Sequence, residues 1–195
     1  MRLYLPLFLI LAGSSFAQDS VQYALGHVEI GSLKISIPNE CKSIPSEWTR
    51  YRDLGPEVGQ WFNAHFFPGV RAYGAGCYRE AYDQFTYCLE RSSYLDGNAN
   101  QVFYLTTAYY LRGMIFLYHA SGPGRLTLAK QDFEAAIQLN DQNYPAHLEL
   151  AHVFSSAGLK DQAIQALQRL IELKPDKETL ERAEGELKSL TGGSK

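Results

Sequence analysis

From about Glu57 onward, apolar residues recur at intervals of three and four, the spacing that keeps one stripe of a helix turned inward. Upstream the period is different. His27-Val28-Glu29-Ile30 and Leu33-Lys34-Ile35-Ser36-Ile37 alternate apolar and polar, with Gly31-Ser32 between them, which predicts a short β-hairpin over 27–37. Two strands alone are marginal in water, so this hairpin must lean on the helices or pair with another chain. Pro38 and Pro45 punctuate a loop around Cys41, and Trp48 to Tyr51 is a candidate first helix. The first residues form a third kind of pattern: Arg2, an apolar run from Leu3 to Ala12, then Ser15-Phe16-Ala17. That is the layout of a signal peptide with cleavage after Ala17. The run is short and broken by Pro6, too little to cross roughly 30 Å of hydrocarbon as a stable helix. The mature chain is therefore expected to be exported, periplasmic or secreted, with no stable membrane span after signal cleavage.

The helical part repeats itself. Leu150-Ala151 is followed by Phe154, a turn with Gly158, then Ala163, Leu167 and a closing Pro175. One unit earlier, Arg112-Gly113 is followed by Phe116, and then by Ala129 and Phe133. Ala129 to Ala163 and Phe133 to Leu167 are each 34 residues apart. A weaker copy has Pro68-Gly69, Ala72 and Gly76-Cys77-Tyr78, then Ala81 and Phe85, with Pro68 either starting its first helix or kinking it. Within this middle copy the turn from His119 to Arg125 is about four residues longer than usual, and Asp141 stands where a proline is expected. This arrangement resembles the tetratricopeptide repeat, with its Leu-Gly-x2-Tyr, Ala-x3-Phe and terminal Pro, and with His147 where that family prefers Trp. The resemblance covers roughly residues 60–175.

The expected fold class is all-α: an α-solenoid of about three tetratricopeptide-like helical hairpins and a C-terminal capping helix, preceded by a short N-terminal β-hairpin or irregular segment. The corresponding division is a signal peptide at 1–17, an N-terminal segment at 18–56, repeats at 57–175 and a capping helix at 176–191. In that last helix Asp176 is the cap, and Leu180, Ala183, Leu187 and Leu190 share one side while Glu178, Glu181, Glu184 and Lys188 face water. Each helical pair has apolar faces that only a neighbouring pair can bury, so stacking is the source of stability.

The resemblance also implies a concave surface lined by the first helix of each unit. Carried over position by position, its groove residues are Asn63, Phe66, Val70 and Tyr73, then Tyr110, Met114, Leu117 and Tyr118, then Leu148, His152 and Ser155. Such a surface is aromatic and apolar with few charges. It lacks the Lys and Asn cluster with which chaperone-binding relatives clamp a C-terminal carboxylate; an extended peptide or amphipathic helix with apolar anchors fits it better. The competing reading is that Tyr110, Met114 and Tyr118 pack beneath the N-terminal segment as ordinary core.

Composition narrows the chemistry. A formal net charge of -3 and a pI near 6.0 give no basic excess for a phosphate backbone, so nucleic acid is not an expected partner. Cys41, Cys77 and Cys88 would sit in a compartment where a disulfide persists. On one helix, Cys77 and Cys88 would be about 16 Å apart, so a bridge would join Cys41 to one of them; three buried, unbridged thiols are the alternative. His147 and His152 are five apart and do not share a helix face, and no Cys-x2-Cys pair, phosphate-cradling loop or Gly-x-Ser-x-Gly elbow occurs. No cofactor, no metal and no catalysis are expected. The expected role is a protein-interaction scaffold or an assembly or accessory factor binding another protein or a peptide segment. The alternative is a structural subunit embedded in a larger envelope complex through its N-terminal segment and convex face.

Overall fold

A computed structural model describes residues 27–30, 33–38 and 58–192. The signal segment, the cut after Ala17, the candidate helix at Trp48 to Tyr51 and Cys41 lie outside these residues. The described residues form strands β1 (His27–Ile30) and β2 (Leu33–Ser36) and helices α1 (Val58–Gly74), α2 (Tyr78–Glu90), α3 (Gln101–Met114), α4 (Arg125–Leu139), α5 (Tyr144–Ser156), α6 (Lys160–Glu172) and α7 (Lys177–Gly192). Each helix packs on the next in sequence, giving the hairpins α1/α2, α3/α4 and α5/α6 with α7 laid over the last. This is an all-α solenoid.

The spacing rules reappear as packing. Ala81, Ala129 and Ala163 have no exposed surface, and neither have Phe85, Phe133 and Leu167 four residues after each. In the first helix of the first two hairpins a glycine accepts the ring of its own second helix. A Cβ on Gly69 would lie 2.8 Å from Phe85 Cε1, and one on Gly113 would lie 2.8 Å from Phe133 Cε1. The two helices approach so closely there that hydrogen is the largest tolerated substituent. Ala151 and Leu167 are both buried in the third hairpin. Gly69 to Phe85 and Ala151 to Leu167 each span 16 residues and Gly113 to Phe133 spans 20, so the middle hairpin carries four extra residues in its turn.

The first and third turns share one device. Gly76 and Gly158 take positive φ, and the amides of Cys77 and Leu159 reach back to the carbonyls of Ala72 and Phe154. This closes the helix end and satisfies carbonyls that the helix leaves orphaned. The longer middle turn does something else. Helix α3 passes into a π-helical turn, Ile115–His119, and Ser121 then pairs in antiparallel fashion with Ser36 through two backbone bonds of 2.9 and 2.8 Å. The two-stranded sheet, in register His27 with Ser36 and Ile30 with Leu33, is thereby pinned to the helices. Ile35 and Ile37 are fully buried in the main core. The hairpin leans on the solenoid, as a two-stranded ribbon must.

Pro68 neither starts nor ends its helix: α1 runs through it from Val58 to Gly74. A proline removes one helical donor, and burial of Phe66 and Ala72 on either side holds the helix in place. In the core, Arg112 makes two bonds to Asp132, 2.8 and 2.7 Å, and a third to the Thr86 hydroxyl, joining α3, α4 and α2. Burial works against the Arg112 charge, but Asp132 outweighs it and the guanidinium holds its proton more tightly than usual. Burial also pushes Asp132 up against the pull of Arg112. The bidentate geometry decides for an ionised pair. Of the cysteines, Cys77 is disulfide-bonded and Cys88 is free and buried, its thiol pushed up by burial.

Helix α7 begins where Asp176 accepts the Thr179 amide at 3.0 Å. Its buried Ala183, with Leu187 and Leu190, closes a second cluster over Leu148, Ala151, Leu167 and Leu170. No described helix is long and apolar enough to cross a membrane.

Candidate interaction groove

The first helices of the hairpins, α1, α3 and α5, carry the residues assigned to the groove, and the tertiary packing sorts them into two sets. Tyr73, Val70, Tyr110 and Met114 are half-buried, resting on the main core with part of each side chain open. Tyr118 is half exposed, His152 is half-buried and Ser155 is exposed. Phe66, Leu117 and Leu148, by contrast, are buried and line no surface. Phe66 nests among the rings of Phe67, Phe85, Phe103 and Tyr104. Leu148 is sealed under α7, so the capping helix removes it from the groove. Leu117 turns inward because the π-helical turn shifts the phase of the helix face, and the same shift carries Tyr118 outward. The side chain of Asn63 lies outside the described residues.

At the rim, Tyr78 at the start of α2 stacks on His119 with centroids 3.5 Å apart, and Tyr73 meets both rings edge-on. Burial lowers the His119 pKa. The groove therefore presents tyrosines from α1, α3, the π turn and the first turn of α2, with few apolar side chains fully exposed between them.

Its floor is charged, contrary to the expectation of a mostly uncharged surface. The Tyr118 hydroxyl donates to Glu149 Oε2 at 2.5 Å and lies 3.0 Å from His152 Nδ1. His152 Nδ1 is 3.0 Å from the same carboxylate oxygen, and its Nε2 is 2.9 Å from Glu186 Oε2 on α7. Bonds to Glu149 and Glu186 overcome burial and push His152 up to about 9, so the ring is an imidazolium at neutral pH. Burial alone would raise the Glu149 carboxyl; hydrogen bonds from His152 and Tyr118 hold it below its ordinary value. Glu149 also acts at a distance. Burial, helped by the Glu149 charge and Tyr73, pushes Tyr110 up to about 12, and burial, Tyr78 and Glu149 raise Tyr73.

Glu149 and Glu186 were not legible as site residues. Glu149 sits between packing positions, and Glu186 belongs to a helix face that reads as solvated. Their only sequence signal is the spacing Glu149 to His152, three apart and so adjacent on α5. Among the described residues no group of three or more His, Cys, Asp or Glu is placed to hold a metal ion.

A second concavity of about 690 Å³ lies between α4, α5 and α6, over Ile137, Leu150, Phe154 and Ala166, with His147 in its wall. His147, at the position where Trp was expected, is buried and holds the Asp141 carbonyl at 2.9 Å.

Residues 122–187 match the family described as tetratricopeptide repeat. Over those residues the chain carries tetratricopeptide repeats. The solved structure "First TPR of Spaghetti (RPAP3) bound to HSP90 peptide SRMEEVD" superposes with a TM-score of 0.50 at 18% identity, covering 67% of this chain and 93% of that one. The crystal structure of MamA protein aligns at 19% identity and a TM-score of 0.38, covering 69% of this chain and 84% of that one. No curated protein matches the chain in sequence. Within this solenoid, Tyr73, Tyr110 and Tyr118 are the partly open tyrosines that α1, α3 and the π-helical turn bring to the groove.

Proposed function

We propose that this tetratricopeptide-repeat protein is an interaction scaffold or assembly factor that holds a segment of another polypeptide on the Tyr73–Tyr110–Tyr118 face, and that it acts after export, in the periplasm or outside the cell. One observation carries the reading: partly open tyrosines from successive first helices line one face, backed by a core that fixes their position. Tyrosines supply broad, rigid contact area at low entropic cost, which suits an extended peptide or an amphipathic helix. The similar RPAP3 repeat domain was solved with a peptide bound, which supports the same class of partner here. Export rests on the N-terminal pattern of Arg2, Leu3 to Ala12 and Ser15-Phe16-Ala17. The mass of the mature protein tests it, with Gln18 as the expected first residue. The groove is tested by co-purification with Tyr110→Asp and Met114→Asp together: a groove partner is lost from this variant at a temperature where circular dichroism shows it still folded.

A structural subunit embedded in a larger complex is the second reading, and Phe67, Val102 and Phe103, 45%, 50% and 62% exposed, favour it. It predicts that Phe103→Asp, and not the groove variant, releases the partner.

A further inference from the structure

Glu149 uses one oxygen for both of its hydrogen bonds: Tyr118 and His152 share Oε2. Among the described residues its other oxygen, Oε1, takes no hydrogen bond, and it is not among the buried atoms lacking a partner, so solvent or a ligand can reach it. The residue itself is only 7% exposed. Hydrogen bonds and the His152 charge already compensate this enclosed carboxylate through Oε2, which leaves Oε1 to accept from water or from a ligand's donor.

The local charges point the same way. Glu149 and Glu186 flank a single imidazolium, His152, which leaves one negative charge in excess. Arg182 on α7 acts on both Glu149 and Tyr110; it is exposed to solvent and correspondingly screened. On the other helices of the groove Arg112 is committed to Asp132 and Arg125 donates to the Leu117 carbonyl, and the groove residues Val70, Tyr73, Tyr110 and Met114 bring no cation. The Glu149 charge is felt by Tyr73, Tyr110 and Tyr118, and tyrosine rings attract a positive charge over their faces.

Resting on the groove reading above, we propose that the segment bound there carries a lysine or arginine among apolar residues, its cation seated against Glu149 Oε1 and rimmed by Tyr73, Tyr110 and Tyr118. This is the opposite polarity to a clamp for a terminal carboxylate. The apolar neighbours of the basic residue contact the half-open Val70 and Met114, and the charge fixes the register.

The experiment uses the full mature chain and an array of short random peptides, acetylated at the N-terminus and amidated at the C-terminus so that neither end contributes charge. Binding peptides are expected to be enriched in one Lys or Arg beside aromatic or aliphatic residues. Replacing that lysine with acetyl-lysine should weaken binding about tenfold. Glu149→Gln should abolish the basic preference and leave apolar peptides bound. The acetyl-lysine comparison on the unmodified protein decides the matter even if that variant folds poorly. Binders without basic enrichment, still sensitive to Tyr110→Asp, overturn this inference and leave the groove reading standing. An array with no binders, or binders indifferent to Tyr110→Asp, overturns both.

Discussion

At the scale of single residues, the repeat is a set of close approaches between a glycine and a ring. Ala in a helix interior is favoured over Gly by about 1 kcal/mol, so an open helical glycine should gain from the change. Gly185, in α7 with nothing within 4 Å of its added Cβ, is such a site, and Gly185→Ala should raise stability by up to about 1 kcal/mol in urea titration. Gly113→Ala should do the reverse. Its Cβ would stand 2.8 Å from a ring that has no exposed surface and no room to retreat, and overpacking of that kind costs about 1–3 kcal/mol. Truncating the ring, Phe133→Ala, should cost about 3–5 kcal/mol, and the two changes combined should fall short of their sum because they share one contact. The cysteines give a second residue-scale expectation. Cys77 is bonded and Cys88 is enclosed with its thiol pushed up, so iodoacetamide should leave the folded protein unmodified and should alkylate Cys88 once it is unfolded without reductant.

At the scale of elements, the junction of α5 with α7 depends on one proton. His152, raised from 6.5 to about 9, binds that proton more tightly folded than unfolded. The stabilisation is fully present below pH 6.5 and is lost as pH rises through about 9. His119 and His147 are shifted the other way, by burial first in each case, so their effect falls below pH 6.5, outside this window. After discounting for partial exposure the junction is worth about 1–2 kcal/mol, which is a few degrees in a domain of this size. The melting temperature should therefore fall between pH 6.5 and 9, and His152→Gln should flatten that slope. The π-helical turn is the other decision made by an element. It absorbs part of the longer middle turn, buries Leu117, exposes Tyr118 and delivers Ser121 to β2, and nothing in the apolar periodicity of 115–119 distinguishes it from a last turn of ordinary helix.

At the scale of the whole molecule, each hairpin is completed by its neighbour, and the last is completed by α7. Ending the chain after Lys174 should uncover Leu148, Leu167 and Leu170, lower the melting temperature and promote self-association visible by light scattering. Periodicity by itself determined the helical hairpins, the 34-residue register of Ala129 with Ala163 and Phe133 with Leu167, and the cap, because burial of one face leaves a regular imprint on local sequence. It could not separate groove from core at Phe66, Leu117 and Leu148: Phe66 and Leu148 are closed by neighbours that arrive from elsewhere in the chain, and Leu117 by a π-helical turn that the periodicity does not mark. The charged floor was beyond its reach for the same reason. Glu149, Glu186 and Tyr118 belong to three different segments, and it is their meeting through His152, a contact across 34 residues on either side, that makes them one site.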